Sequence, residues 1–479
     1  MQEQGTISGE SAACPQSIDR PVVDRFVLAN GLEVWHHPRQ GSGTVSLIMV
    51  VRAGARCETV QNNGISHFLE HMVFDGTERW NEHEIKEIIR RRGGYFNAQT
   101  NYEHTAYEAH LPAGDFELAL DWLTEVVFRA TLPEDKVERE RQVLIQEKGG
   151  RSSQVLTFFE DRGFGYDLGL AVRRRLFPGS SLGLRVGGED ASLARIDREM
   201  LLAYYQRYYR PNNMALIVVG DVTAERVRTA TERILGGFPA GPVPEPVPAP
   251  KPLGRGVSLL LRGPNFSDRS HMRCGARTVD AAHSDVPALE LLAEVLSDRL
   301  TDEVRLRRGL VYSIGAYNVS LSDVGYFVVH TESDGVNMAE IQEIIERNLK
   351  QLCEEPLSAE ELAQAKAQLT GQFALSTQSN VSLAWLYAGY SVWCRAAGMP
   401  LPDFCADIER SSAEDVMRVA QRYFVRHNTY LALYRPAFTL KTAALGVATG
   451  ITLMLGMMFW QRENDRRERS LGQRGGHPG

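Results

Sequence analysis

Ile65-Ser66-His67-Phe68-Leu69-Glu70-His71-Met72 is the stretch around which the rest of the chain is organised. Asn62, Asn63 and Gly64 precede it as helix-start residues, and Ile65, Phe68, Leu69 and Met72 recur at helical spacing. The pattern predicts a helix with one face in a core. On it His67 and His71 are one turn apart and project side by side, with Glu70 three positions beyond His67 on the same general side. Two imidazoles so spaced suit one Zn²⁺ ion, and a carboxylate next to them suits the handling of a water proton. By themselves the same residues are equally compatible with polar groups on a solvated helix face. The rest of the chain decides between the two.

At 479 residues the chain exceeds one ordinary core, so several domains are expected. A hydrophobic fraction of 43% and a net charge of −7 are ordinary for a globular protein and exclude nucleic acid as an evident partner. Six scattered cysteines without a Cys-x-x-Cys pair read as thiols, not as a disulfide framework or a thiolate metal site. Residues 1–21 are polar, lack the basic-then-apolar order of a secretory signal, and read as a disordered N-terminal segment. Thr442 to Trp460 (TAALGVATGITLMLGMMFW) carries no charge and is about as long as a bilayer-spanning helix. Trp460 stands where an interfacial aromatic would, and the charged tail 461–479 begins with several arginines. A single C-terminal transmembrane helix is therefore expected. The arginines after it place the tail in the cytoplasm, whereas the missing signal favours cytoplasmic catalytic domains over periplasmic ones; the second consideration is given more weight.

Between these ends the chain reads as two α+β units. Residues 22–237 hold strands around Asn30-Gly31 and at Val45 to Ala53, the His67 helix, a helix from Glu82, a hairpin over Tyr95 to Leu111, and helices from Phe116 and Pro133. Phe238 to Pro252 (FPAGPVPEPVPAPKP) lies in a Pro-rich linker over 238–255 that cannot form a regular element. Residues 256–436 repeat a similar order. The expected fold is α+β: two homologous α/β sandwich domains, each a mixed, mainly antiparallel sheet packed with helices.

A catalytic zinc needs a third protein ligand, and a Glu, Asp, His or Cys elsewhere in the first half must supply it. His67-x-x-Glu70-His71, with Glu147 at 76 positions beyond His71 (147 − 71), resembles the inverzincins of the pitrilysin-like, or insulinase, metallopeptidase family. Its short-chain branch includes the mitochondrial processing peptidases and bacterial relatives. The resemblance implies that Glu147 is the third ligand of one Zn²⁺ per chain and that Glu140 supports the site. Residues 140 and 147 are two helical turns apart, hence on one face, so Glu140 can hold a ligand imidazole. Leu28 to Leu32, Tyr208 to Met214 and Val219 to Val222 extend the likeness over most of the chain. Asn97, Ala98 and Thr100 resemble the hairpin that borders the family's cleft and implies substrate binding by strand addition. Arg305 and Tyr312 match an Arg/Tyr pair that reaches across to the substrate and stabilises a developing oxyanion.

The implied activity is that of a zinc metalloendopeptidase acting on peptides or small unfolded segments in a clamshell chamber, with Glu70 as general base and Arg305 and Tyr312 assisting. The alternative is a catalytically inactive scaffold subunit of the same fold in a membrane complex. A homodimer is expected, since one chain carries both the zinc set and the Arg/Tyr pair, with a heterodimer containing an inactive paralogue as the other arrangement. Gly446-x3-Gly450 fits paired membrane helices. A dedicated peptide substrate and general peptide degradation are not distinguished.

Overall fold

The computed structural model describes residues 23–148, 167–245, 247–252, 254–263, 269–394, 400–436, 449 and 451–457. Two sheets carry the fold. The first is built from β1 (Asp24–Val27), β2 (Glu33–Pro38), β3 (Thr44–Val51), β4 (Tyr95–Thr100), β5 (Thr105–Pro112) and β6 (Met214–Gly220) in the order β1-β2-β6-β3-β5-β4. Only β2 and β6 run parallel; the other pairs are antiparallel. The helices of this half are α1 (Ile65–Met72), α2 (Glu82–Arg90), α3 (Phe116–Phe128), α4 (Glu134–Glu147), α5 (Leu168–Leu176), α6 (Arg198–Tyr208) and α7 (Ala224–Leu235).

The second sheet contains β7 (Val257–Gly263), β8 (Arg269–Thr278), β9 (Ile314–Ser320), β10 (Gly325–Asp334) and β11 (Thr429–Pro436) in the order β7-β11-β8-β10-β9. It is accompanied by α8 (Val286–Leu300), α9 (Met338–Glu354), α10 (Ala359–Ser376), α11 (Asn380–Trp393) and α12 (Ala413–Tyr423). Strand for strand this is the order β2-β6-β3-β5-β4, again with a single parallel pair, β7 with β11. The two halves are thus one topology used twice, with β1 as the addition. Helix α8, which occupies the place of α1, contains no histidine and buries Leu289, Leu291 and Leu292 instead.

The apolar run of β3 is buried throughout because both faces of the sheet are covered. Val45, Leu47, Met49 and Val51 enter the core shared with α1 and α3, while Ile48 and Val50 face Leu383, Ala384, Tyr387 and Val392 of α11. Helix α11 belongs to the second half by sequence but closes the back of the first sheet. It and strand β8 were not expected from the sequence: in β8 (RSHMRCGART) Met272, Cys274 and Ala276 alternate with Arg273, Gly275 and Arg277, a pattern obscured by the many polar side chains.

The Pro-rich segment forms no helix or strand among its described residues, yet it is fastened down. Arg56 donates to Val247 O at 2.9 Å and to Asp323 at 2.8 Å, and Ala249 N donates to Asp323 at 2.7 Å. Arg56 also meets Glu103 at 2.7 Å, and Glu103 accepts from Ser322. The turn before β10 is thereby tied to the β4–β5 hairpin.

Among the described residues no helix is long and apolar enough to cross a membrane. Of the run 442–460 only Thr449 and 451–457 are described; Ile451, Leu453, Met454, Leu455 and Met457 are helical and exposed. The remainder of that run, the tail 461–479 and the N-terminal segment 1–21 lie outside the described residues.

Candidate active site

Helix α1 packs against α4, α6, β4 and β5, and its N-terminus is organised by Glu58. The Glu58 carboxylate is buried and accepts from Gly64 N at 2.7 Å, Ser66 N at 3.0 Å and Asn63 Nδ2 at 2.8 Å. These are the orphan donors that every helix start presents. Of the three expected helix-start residues, Gly64 holds the cap position, at φ 93° and with no side-chain cap of its own. Gly64 lies so close to Gly188 that a Cβ on it would stand 2.6 Å from the Gly188 Cα, and the positive φ suits glycine alone. Asn63 completes the junction by donating to Arg185 O at 2.8 Å and accepting from Glu189 N at 3.1 Å.

Helix α4 opens after Pro133 with Glu134 and Asp135 in its first turn, where acidic groups complement the dipole. Val137, Glu140 and Leu144 are its buried positions, and Glu147 continues that face at the last turn. The face lies against α1. His67 Nε2 is 3.7 Å and His71 Nε2 3.6 Å from the same oxygen, Glu147 Oε2, and the two rings meet edge-on at 4.9 Å. A tetrahedral ion with bonds of about 2.0–2.2 Å holds its ligands about 3.4 Å apart, so the three atoms fit Zn²⁺ with little adjustment. Among the described residues this is the one group of three such side chains close enough to hold a metal.

The tautomers agree with that fit. His71 Nδ1 is 3.3 Å from Glu140 Oε2, so this nitrogen carries the proton and the Nε2 lone pair faces Glu147. Burial pushes His67 down to about 4, helped by the charges of His71 and Lys148, and keeps its imidazole neutral at pH 7. Its buried Nδ1 has no hydrogen-bond partner. At His71 burial disfavours the cation, but the Glu140 hydrogen bond and the charges of Glu147 and Glu70 outweigh it, leaving a more basic ring. Glu140 is held below the usual carboxylate range by the His71 hydrogen bond against its burial, with Arg139 assisting.

Glu70 is buried beside this group without belonging to it. Thr100 Oγ1 donates to Glu70 Oε2 at 2.5 Å. Burial pushes the Glu70 carboxyl up, the Thr100 hydrogen bond opposes it, and nearby Glu147 adds to the rise. Such a group has a raised proton affinity, as a general base for water requires.

The sequence-assigned residues are thus distributed unevenly. His67, His71, Glu147, Glu140 and Glu70 come together. Thr100, expected to border substrate through its backbone, places its hydroxyl on Glu70. On β4, Ala98 shares the α1 side with Thr100, while Asn97 is exposed on the opposite face, paired in register with Glu108. β4 pairs only with β5, so its other edge is open among the described residues. Arg305 lies in a π-helical turn (Thr301–Arg307) that extends α8, with its guanidinium carbon 5.7 Å from the ring centre of Tyr312. Both are exposed, Tyr312 by 78%, and within one chain neither contacts the His67–His71–Glu147 group. Glu58, Arg139 and Asp75, which organise the site, were missed: Glu58 lies before the helix, Arg139 turns back beside Glu140, and Asp75, though one turn beyond His71, follows the end of α1 and carries no metal-ligand signal of its own.

Comparison with known proteins follows the same division. The family described as Insulinase (Peptidase family M16) matches residues 36–156, and the family described as Peptidase M16 inactive domain matches residues 195–369. The uncharacterised zinc protease YmxG of Bacillus subtilis is 27% identical over 377 residues, 75% of this chain and 86% of its own. The mitochondrial-processing peptidase subunit beta of Mus musculus is 24% identical over 441 residues, covering 88% and 87%. Among solved structures, a protease from Helicobacter pylori superposes with a TM-score of 0.77 at 22% identity, over 87% of this chain and 100% of that one.

Proposed function

The chain belongs to the insulinase (M16) peptidase family, and on that footing we propose that it is a zinc-dependent endopeptidase of peptides or unfolded protein segments. The observation that carries the reading is the convergence of two imidazole nitrogens on one Glu147 oxygen, with Glu70 left outside the group. When bound there, Zn²⁺ polarises the scissile carbonyl and acidifies water. Glu70, held by Thr100, takes the proton of the attacking water and returns it to the departing amine. Glu140 keeps His71 in the ligating tautomer. The open edge of β4 offers backbone groups to an extended peptide, which would then lie along the Thr100 side of the site.

The exposed Arg305 and Tyr312 suit donation to an oxyanion in the site of a second copy, in a homodimer or in a heterodimer with an inactive paralogue. We further propose that the run 442–460 anchors the protein to a membrane, with the catalytic halves in the cytoplasm. Protease accessibility in intact cells tests that topology. Full-length protein is expected to contain one zinc per chain, and Glu70→Gln to retain it while losing peptide turnover. An active E70Q would remove Glu70 from its role. A wild-type chain without stoichiometric zinc would favour the scaffold reading.

A further inference from the structure

Arg139 precedes Glu140 on α4, and consecutive helical residues do not ordinarily face each other. Here they do. Arg139 Nε is 3.0 Å from Glu140 Oε1, Nη2 is 2.9 Å from the same oxygen and 2.5 Å from Asp75 Oδ1, and Nη1 is 2.7 Å from Glu82 Oε2. Three carboxylates therefore hold one guanidinium folded back across its own helix. Asp75 stands one turn beyond His71, in the turn that ends α1, and its side chain is only 3% exposed. Its Oδ2 has no hydrogen-bond partner among the described residues, and burial together with the Glu140 charge pushes the carboxyl up to about 7. A buried, half-satisfied carboxylate is unfavourable for folding and does not recommend itself as packing.

We propose that Asp75 and Arg139 brace Glu140, fixing its Oε1 so that Oε2 is aimed at His71 Nδ1, and that this brace sets the metal affinity of the site. The contacts form a closed ring: from His71 along α1 to Asp75, across to Arg139, to its neighbour Glu140, and back to His71 at 3.3 Å. The ring locks the two helices that carry the ligands in one register. A planar guanidinium can serve three oxygens in fixed directions; an ammonium cannot. The inference rests on the zinc reading above. Asp75 and Arg139 are positioning residues and touch neither ion nor substrate.

The test is the zinc dissociation constant of the full chain, measured by competition with a chromophoric chelator, for wild type, Arg139→Gln, Glu140→Gln and the double variant. R139Q is expected to weaken zinc about tenfold or more, the size typical of groups that orient a metal-bound histidine. The double variant is expected to bind zinc no more weakly than E140Q, because Arg139 acts through Glu140. A zinc affinity for R139Q within about twofold of wild type, or losses that multiply in the double variant, would overturn the brace. If zinc-free R139Q fails to fold, Arg139→Lys decides: its charge is kept but its fork is lost, so weakened binding supports the brace and wild-type binding overturns it. Failure of the wild-type chain to bind zinc would instead count against the function proposed above.

Discussion

Replacing Glu58 by Gln changes one buried atom and tests whether α1 is positioned from outside its own sequence. Both carboxylate oxygens face donors only: Oε2 accepts from Asn63 and Gly64, Oε1 from Ser66. Burial raises the proton affinity of this carboxyl, while the hydrogen bonds from Gly64 and Ser66 lower it. The three N–H partners can only donate and so favour the ionised form, with the Ser66 hydroxyl as a further partner of the group. In the best orientation of a Gln side chain its NH₂ replaces Oε1 and leaves the Ser66 N–H buried and unpaired, which costs about 1–3 kcal/mol. Loss of the negative charge at the helix N-terminus adds about 0.3–1 kcal/mol, more when partly buried. The sum, about 1.3–4 kcal/mol, corresponds to a fall of about 3–16 °C in the melting temperature of a domain of this size. Differential scanning calorimetry of the metal-free protein reads the shift, and a zinc titration reads whether His67 remains in place. An E58Q protein melting within about 2 °C of wild type with unchanged zinc affinity would refute the reasoning.

Thr100→Val removes the hydroxyl that holds Glu70 without changing side-chain volume much. With hydrogen bonds to charged groups worth about 1.5–3 kcal/mol, kcat for peptide cleavage should fall about 10- to 100-fold at unchanged zinc content. A T100V enzyme with wild-type kcat would remove this support. Glu147→Gln should leave well under one zinc per chain after dialysis, and full retention would exclude Glu147 as a ligand. Burial pushes His104 down to about 4, and His37 likewise with the help of Arg39 and His36. The unfolded chain then takes up these protons first, at a pKa near 6.5. Stability is therefore full above about pH 6.5 and declines toward pH 4, by at most about 1.4 kcal/mol per pH unit for each histidine. Urea midpoints from pH 7 to 5 should fall less steeply in His104→Gln, and an equal slope would count against the assignment.

The ligand set was legible in the sequence because each part of it is a local periodicity. His67 and His71 are one turn apart, Glu140 and Glu147 two turns apart, and helical geometry turns those intervals into shared faces. The distance from His71 to Glu147 has no such basis and was read from resemblance. The apolar run of β3, the Asn30-Gly31 turn and the proline-rich segment were readable for similar local reasons. Strand β8 was not, since its edges of polar side chains obscure the alternation that a one-sided strand normally shows. Helix α11 was not placed either, because which sheet an apolar helix covers depends on the path of the whole chain.

By itself, then, the sequence placed His67 with His71 and Glu140 with Glu147 on shared helix faces and marked the paired α+β units and the extended segment between them, while the link between the two faces came from resemblance. Only the tertiary structure decided that Glu58 holds the start of α1, that Thr100 serves Glu70, and that Asp75 reaches Glu140 through Arg139. The physical reason is that these contacts, apart from the one between the neighbours Arg139 and Glu140, join residues 6 to 64 positions apart through hydrogen bonds in directions set by the packing of α1 between α4 and β4. No interval in the chain encodes such directions; they exist only once both helices and the edge strand are in place.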